Sequence, residues 1–301
     1  MFDVVGVGTN SVDEVLRLPV DTAALAAAGK ARVAERHVLC GGQAATVTAA
    51  CAALGLRSRY VGVFGSDEHG TLIEKTLASA GVDVGSASRR DAPNRTALIL
   101  VDPTGHRTVL WHRSEKLTIL PVDLPPRVLE GRIVHVDDDD PELALHAALT
   151  ARAAGTPVTS DLEHISGTVE QLCASVTYPI FEQHLPARLT GETDPERALR
   201  KLRRLNPGVL CMTLGDRGAV ALAGDQFHVA PAFRVHAVDT TGAGDVFRAG
   251  FIYGLLRGRA VPDILRFASA AAAISCTRLG AIPSVPRLAE VEQLLRLPTD
   301  D

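Results

Sequence analysis

Seven residues, Asp239-Thr-Thr-Gly-Ala-Gly-Asp245, set two carboxylates around a turn almost bare of side chains, and an apolar run with helical spacing, Val246 to Leu256, follows at once. Gly242, Ala243 and Gly244 leave backbone N–H groups open to close approach by an anion. A helix starting there adds unpaired N–H groups and a partial positive charge. The turn therefore suits a phosphate or a developing oxyanion. Asp245 at its rim would repel a passively held phosphate, but a carboxylate there makes sense if it removes a proton from a nucleophile attacking that phosphate. The competing reading is structural, with Asp245 as a helix N-cap and the glycines as a strand stop.

Other polar positions could complete such a site. Asp13 follows the first strand-like run, where open α/β sheets expose ligands, and it reads equally as a turn carboxylate. Cys40-Gly41-Gly42-Gln43-Ala44-Ala45-Thr46 is a second glycine-rich turn before a helix, either a cradle for a polar ligand or a plain junction. Asp137 to Asp140 crowd four carboxylates after a strand: Asp140 fits a helix cap, and one of Asp137 to Asp139 could bond a ligand hydroxyl, as could Asp161 or Glu163 after the next strand. Lys30 and Arg32 could meet an anionic substituent or remain solvated. Trp111 and His112 could cover a ligand or shelter a hairpin. Gly6-Val7-Gly8 is not a dinucleotide fingerprint, because Ser11 stands where the third glycine belongs. Neither G-x-x-x-x-G-K-[ST] nor G-x-S-x-G occurs.

The elements that must position these residues alternate. Strand-like runs at Phe2–Val7, Tyr60–Phe64, Ile133–Val136, Val158–Ser160 and Val209–Thr213 are interleaved with helical ones at Gln43–Leu54, His69–Ala80, Pro141–Ala154 and Pro195–Leu205. Val220–Ala223 and Gln226–Val229 flank Gly224-Asp225 as a hairpin, and helices over 245–256 and 262–276 close the chain. Repeated βα units predict an α/β fold with a mainly parallel sheet covered on both faces. Two segments break the rhythm: Glu14 to His37, and Thr96 to His112, whose two strand runs surround Asp102-Pro103-Thr104-Gly105. They predict a small β sheet over the C-terminal ends of the core strands.

Composition sets the outer limits. The chain has 301 residues, 46% hydrophobic and 22% charged, with net charge −4 and acids and bases interspersed, which predicts one large α/β domain over 1–301 and no nucleic-acid or membrane partner. Five scattered cysteines without a C-x-x-C or Cys/His cluster argue against structural zinc and fit a reducing, cytoplasmic setting. No apolar stretch reaches transmembrane length, and the N-terminus lacks a signal-peptide layout.

The Gly41-Gly42 turn, the Asp239–Asp245 motif and the run from Arg266 through Arg278-Leu-Gly280 to Ser284-Val-Pro resemble, in order along the whole chain, the PfkB family of carbohydrate kinases, nearest to its ribokinase and sulfofructose-kinase types. The resemblance implies a three-layer α/β/α ribokinase-like fold with a lid over about 12–38 and 96–113. It implies ATP-dependent phosphorylation of a primary hydroxyl of a small sugar or sugar derivative, with a nucleoside kinase or a catalytically weak sensor as alternatives. Asp245 then matches the general base, and Gly242, Ala243 and Gly244 the anion hole. Ser11, Asp13, Gly41, Gly42, Gln43 and Thr46 match sugar-binding elements. Thr213, Gly215, Asp216, Gly218, Glu182 and Ser269 match the surroundings of ATP with Mg²⁺. Asp239, Thr241, Ser275, Arg278, Gly280 and Ser284 match positions around a monovalent cation, K⁺, and the lid matches a homodimer contact. The chain departs from the family's Asn-x-x-Glu, with Glu182 in place of Asn and Leu185 in place of Glu. Ser11 and Thr46 also replace asparagines of ribokinase sugar turns.

Overall fold

The computed structural model describes residues 1–297 apart from 22, 23, 26, 28, 105, 122 and 123. β1 (Phe2–Val7) enters the core, β2 (Ser11–Arg17) leaves it, and β3 (Glu35–Gly41) returns antiparallel to β2, delivering Gly42 to α1 (Gln43–Ala53). The expected single strand at 60–64 is two, β4 (Ser58–Val61) and β5 (Val63–Gly65), broken at Gly62, where a Cβ would lie 2.0 Å from the Tyr60 hydroxyl. α2 (Glu68–Ser79) is capped by Asp67 and followed by β6 (Ser88–Arg90). β7 (Thr96–Val101) and β8 (Arg107–His112) pair as the expected hairpin. Gly105 of its turn, and residues 22, 23, 26 and 28 of the 14–37 segment, lie outside the described residues.

The alternation then holds: β9 (Gly131–Asp137), α3 (Pro141–Ala153), β10 (Val158–Asp161), α4 (Val169–Ser175), β11 (Ile180–Phe181), α5 (Leu185–Thr190), α6 (Pro195–Leu202) and β12 (Leu210–Thr213). β13 (Ala219–Ala223) and β14 (Gln226–Ala230) form the hairpin announced by Gly224, whose φ is +57°. α7 (Ala243–Leu256), α8 (Val261–Ser275) and α9 (Leu288–Arg296) follow. The short α4 and α5 and the terminal α9 were not apparent from periodicity, which is a weak signal over one or two turns.

β10, β9, β1 and β4 lie side by side, all parallel. Bridges Thr159–Tyr178 and Leu162–Phe181 carry the sheet on to β11 and the parallel β12, while β13 and β14 add an antiparallel edge. α3, α4 and α6 bury Leu143, Leu172 and Leu199 on one face, and α1, α7 and α8 bury Val47, Ile252 and Phe267 on the other. This is the three-layer α/β/α arrangement. A separate sheet of order β3-β2-β7-β8 stands apart from it. Among the described residues no helix is long and apolar enough to cross a membrane.

Glycines set the close approaches that hold the site. A Cβ at Gly6 would sit 2.4 Å from Thr48 Cγ2, so this glycine seats α1 on β1. Gly250 and Gly254, one turn apart, let α8 press on α7: Cβ atoms there would lie 2.8 Å from Ala268 Cα and 2.8 Å from Ile264 Cγ1. Every residue of α7 from Asp245 to Gly254 is buried. The helix that carries Asp245 is therefore fixed along its length, which suits precise placement of a reacting group.

Candidate active site

Gly242 precedes α7 in the left-handed region, φ +78°, and a Cβ there would clash with Ala281 Cβ at 2.7 Å. Position 242 thus requires glycine for conformation and for space. Ala243 opens the helix with its N–H turned back on Thr240 O at 3.2 Å, Gly244 follows without a side chain, and Asp245 stands in the first turn, 9% exposed. Burial pushes the Asp245 carboxyl well above the usual carboxylate range; Arg248 opposes the shift, and the charges of Glu163 and Asp137 add to it. Asp245 makes no capping hydrogen bond, since the cap position is Gly242. The N-cap reading of Asp245 is not what the chain uses.

Arg248 is the functional candidate that sequence reasoning missed. It lies one turn after Asp245, is 1% exposed, and pairs with Asp161, which is fully buried, and with Glu163 at 3.7 Å. Burial works against its charge, but Asp161, Glu163, Asp245 and Asp138 hold the guanidinium protonated. A Cβ at Gly244 would lie 2.6 Å from Arg248 Nη1, so the guanidinium packs on the bare turn itself. The available signal was an arginine in the apolar run that follows Asp245, a rare placement unless the charge is paired.

The second turn converges on the first. A Cβ at Gly41 would lie 3.2 Å from Asp13 Oδ2 and 3.5 Å from Ala281 Cβ, and one at Gly42 (φ +95°) only 2.4 Å from the Asn10 Cα. Ala281 therefore separates the Gly41 turn from Gly242, and Thr46 packs beside Gly242. Ser11 Oγ donates to Asp13 at 2.9 Å. Burial raises the Asp13 carboxyl against the pull of the Ser11 hydroxyl and Arg95. Thr46 Oγ1 is buried without a hydrogen-bond partner, so its bonding capacity is unspent. Gln43 opens α1 and is half-buried.

The carboxylates at the end of β9 have other employment. Asp137 Oδ2 accepts from Thr9 N–H at 2.7 Å, Thr9 Oγ1 at 3.0 Å and Ala44 N–H at 3.1 Å. Burial pushes its carboxyl up to about 7 despite these donors. Asp138 accepts from the Glu163 and His164 N–H groups and from His164 Nδ1, each at 2.8 Å. Asp139 accepts from Arg95 at 2.6 Å and Arg113 at 2.9 Å. Asp140 holds the N-cap position of α3 but makes no capping hydrogen bond, because Arg113 takes its carboxylate instead.

A cavity of about 840 Å³ opens beside Gly244 and gathers Thr213, Gly215, Asp216, Gly218, Glu182 and Ser269 with Ala243, Arg248 and Glu163. The volume is that of a small-molecule site, and Phe247 and Ala272 give it an apolar wall. Ser269 Oγ is buried and unpartnered there. Gly218, at φ +95°, lets the loop turn back against Ala230 O, 2.1 Å from where its Cβ would be. These features fit a nucleotide whose phosphates reach the bare turn at Gly244. Leu185 is fully buried, so the family's metal-handling Glu position is core here. Glu182 stands before α5, and its N–H donates to Leu162 O at 2.9 Å, which puts Glu163 and Glu182 on adjacent strand ends with both lining the cavity. Glu182 Oε2 accepts from the His184 N–H at 2.8 Å, and Glu163 faces Arg248 at 3.7 Å.

Asp239 is tied down behind the turn. It accepts from Thr241 N–H at 2.9 Å, Thr241 Oγ1 at 2.7 Å and Gly280 N–H at 2.9 Å. Burial opposes its charge, but these donors hold the carboxyl below the usual range. The Ser275 and Ser284 hydroxyls donate to Ala272 O and Ala281 O, and Arg278 pairs with Glu290, so the Arg278 side chain points away from Asp239's partners. From the separate sheet, Arg107 donates to Thr241 Oγ1 at 3.1 Å and Thr240 Oγ1 at 3.2 Å. Lys30 and Arg32 are exposed, and Trp111 is 68% exposed, with the Arg95 guanidinium 5.9 Å from its ring centre.

A three-layer α/β/α fold with a nucleotide-sized cavity at a bare helix N-terminus defines a phosphotransferase of the ribokinase-like class. The profile of the pfkB family carbohydrate kinases matches residues 10–288, and the chain belongs to that family. An ATP-dependent ribose-1-phosphate kinase of Halopiger xanaduensis is 31% identical over 259 residues, 84% of this chain and 86% of that one. Ribokinase from Thermotoga maritima superposes with a TM-score of 0.84 at 26% identity, covering 99% of this chain and 100% of that one. Arabidopsis thaliana ribokinase, complexed with ribose and ATP, gives 0.83 at 25% identity over 99% of each chain. The protein is a carbohydrate kinase of that family.

Proposed function

We propose that the chain transfers the γ-phosphoryl group of ATP to a primary hydroxyl of a small sugar or sugar derivative, with Asp245 as general base. The observation that carries this reading is the position of Asp245. It is buried at the start of α7, in the turn shared by the nucleotide-sized cavity and the Gly41–Thr46 turn. Asp245 takes the hydroxyl proton as the new O–P bond forms and the bond to the β,γ-bridging oxygen breaks, releasing ADP. Gly242, Ala243 and Gly244 offer N–H groups to the group in transfer. Ser11, Asp13, Gly41, Gly42, Gln43 and Thr46 hold the sugar. Mg²⁺ would neutralise phosphate charge when bound with the nucleotide, and Glu182 would face it.

K⁺ belongs to this reading through backbone oxygens around Asp239, Thr241, Ser275, Arg278, Gly280 and Ser284. The four-stranded sheet acts as the lid of one domain spanning 1–301. Exposed Val109, Leu110 and Trp111 on β8 support its use as a contact with a second copy. Free cysteines throughout the described residues suit a reducing cytoplasm.

The test is a phosphoryl-transfer assay with ATP and Mg²⁺ over pentoses, ketohexoses, sugar phosphates and nucleosides, each with and without K⁺. We expect turnover confined to a sugar or sugar derivative and raised several-fold by K⁺. Preference for a nucleoside would replace the sugar assignment, and indifference to K⁺ would remove the cation site.

A further inference from the structure

Arg248 is the largest fully buried side chain of the described residues, and it is a cation. A buried arginine is sustained only by partners, because an unpaired charge in the interior costs several kcal/mol. Two of its partners also neighbour the base: Asp161 and Glu163, from the end of β10. From the end of β9, Asp138 acts on Arg248 and Asp137 on Asp245. Asp245 itself lies three residues earlier on α7, on the same side of the helix. No described lysine or second arginine pairs with Asp161, Glu163 or Asp245. The guanidinium also lies against Gly244, and its Nε has no hydrogen-bond partner.

We propose that Arg248 is a positioning residue for phosphoryl transfer: it is the counter-charge that favours the carboxylate form of Asp245 among Asp137, Asp161 and Glu163, and so readies the base for the acceptor hydroxyl. Burial drives Asp245 toward its neutral form, and the charges of Glu163 and Asp137 push the same way. A neutral Asp245 cannot take the acceptor proton. Arg248 acts in the opposite sense and is fixed in place by Asp161. This assignment rests on Asp245 being the base.

The experiment measures kcat/KM against pH, with ATP and the best acceptor of the panel, for the wild type, Arg248→Gln, Arg248→Lys and Glu163→Gln. Removing the cation is expected to move the acid limb of Arg248→Gln upward by about one pH unit, a tenfold loss below the limb that is recovered at higher pH. Arg248→Lys moves it less. Glu163→Gln, which removes a like charge, moves it downward, and this opposite sign keeps the test alive if Arg248→Gln does not fold. A uniform rate loss across pH with the limb unmoved would assign Arg248 to direct contact with the phosphoryl group and overturn the proposal. Unchanged limbs in both Arg248→Lys and Glu163→Gln overturn it as well. Asp245→Asn run alongside separates the two levels. If it turns over normally the base reading fails, whereas an inactive Asp245→Asn with unmoved limbs defeats only the role given to Arg248.

Discussion

Two groups of carboxylates stand at the C-terminal ends of neighbouring strands, and the protein treats them differently. At the end of β9, Asp137, Asp138 and Asp139 accept eight hydrogen bonds from Thr9, Ala44, Glu163, His164, Arg95 and Arg113. At the end of β10 and the start of α7, Asp161 accepts no geometrically sound hydrogen bond despite its ion pair, and Arg248 keeps unpartnered donors. Buried polar groups are normally satisfied. The satisfied cluster pins loops, and the unsatisfied one borders the nucleotide-sized cavity. Unspent bonding capacity, rather than acidity or strand-end position, separates the two groups. Asp137 is the boundary case, since Oδ2 takes three bonds while Oδ1 is buried with none.

The sharpest way to break this contrast is to neutralise one member of each cluster. Asp245→Asn should lower turnover by about 10³-fold or more, within the range of a lost general base, and leave ATP affinity and unfolding free energy close to the wild type. Near-normal turnover would put the chemistry elsewhere. Asp137→Ala should do the reverse, costing about 2–4 kcal/mol in urea unfolding because three buried donors lose their acceptor. A pH series refines this. The folded Asp137 carboxyl, up at about 7, holds a proton that the unfolded chain releases at ordinary carboxylate pH. Its contribution to stability is therefore present below the unfolded value and is lost as pH rises through about 7. Asp137→Asn, which can present one oxygen to the same three donors, should fold well and lack that loss. A parallel fall with pH in both proteins would assign it to another group.

How far the sequence carries this contrast can be read residue by residue. The Asp239–Asp245 turn and α7 were legible because glycines, an acid and an apolar helix occupy consecutive positions, so local rules suffice. Thr213, Gly215, Asp216, Gly218, Glu182 and Ser269 were placed together by family resemblance and do line one cavity. Asp137 to Asp140 were not resolvable, because their partners lie between 25 and 128 residues away and only the folded sheet brings them near. Arg248 was overlooked for a similar reason: its pairing with Asp161 spans two elements. The bend at Gly62 also escaped notice, since the clash that requires it comes from the Tyr60 hydroxyl folding back on its own strand.

The smallest expected effect concerns the hydrogen-bonded link from the separate four-stranded sheet to the Asp239–Asp245 turn, where we propose a lid. Arg107 on β8 donates to Thr240 and Thr241 and lies 3.6 Å from Asp239 Oδ1. The arginine is nearly half exposed, so each contact contributes little to stability. Its value would be kinetic, holding the lid over the turn while water is excluded. Arg107→Ala should leave the melting temperature within a degree or two and lower kcat/KM about tenfold or less. It should also raise the share of ATP hydrolysed without phosphorylated sugar, measured as ADP released against product formed. An unchanged ratio of hydrolysis to transfer would mean that the lid closes without this contact, and that the satisfied and unsatisfied clusters are both governed from within the core.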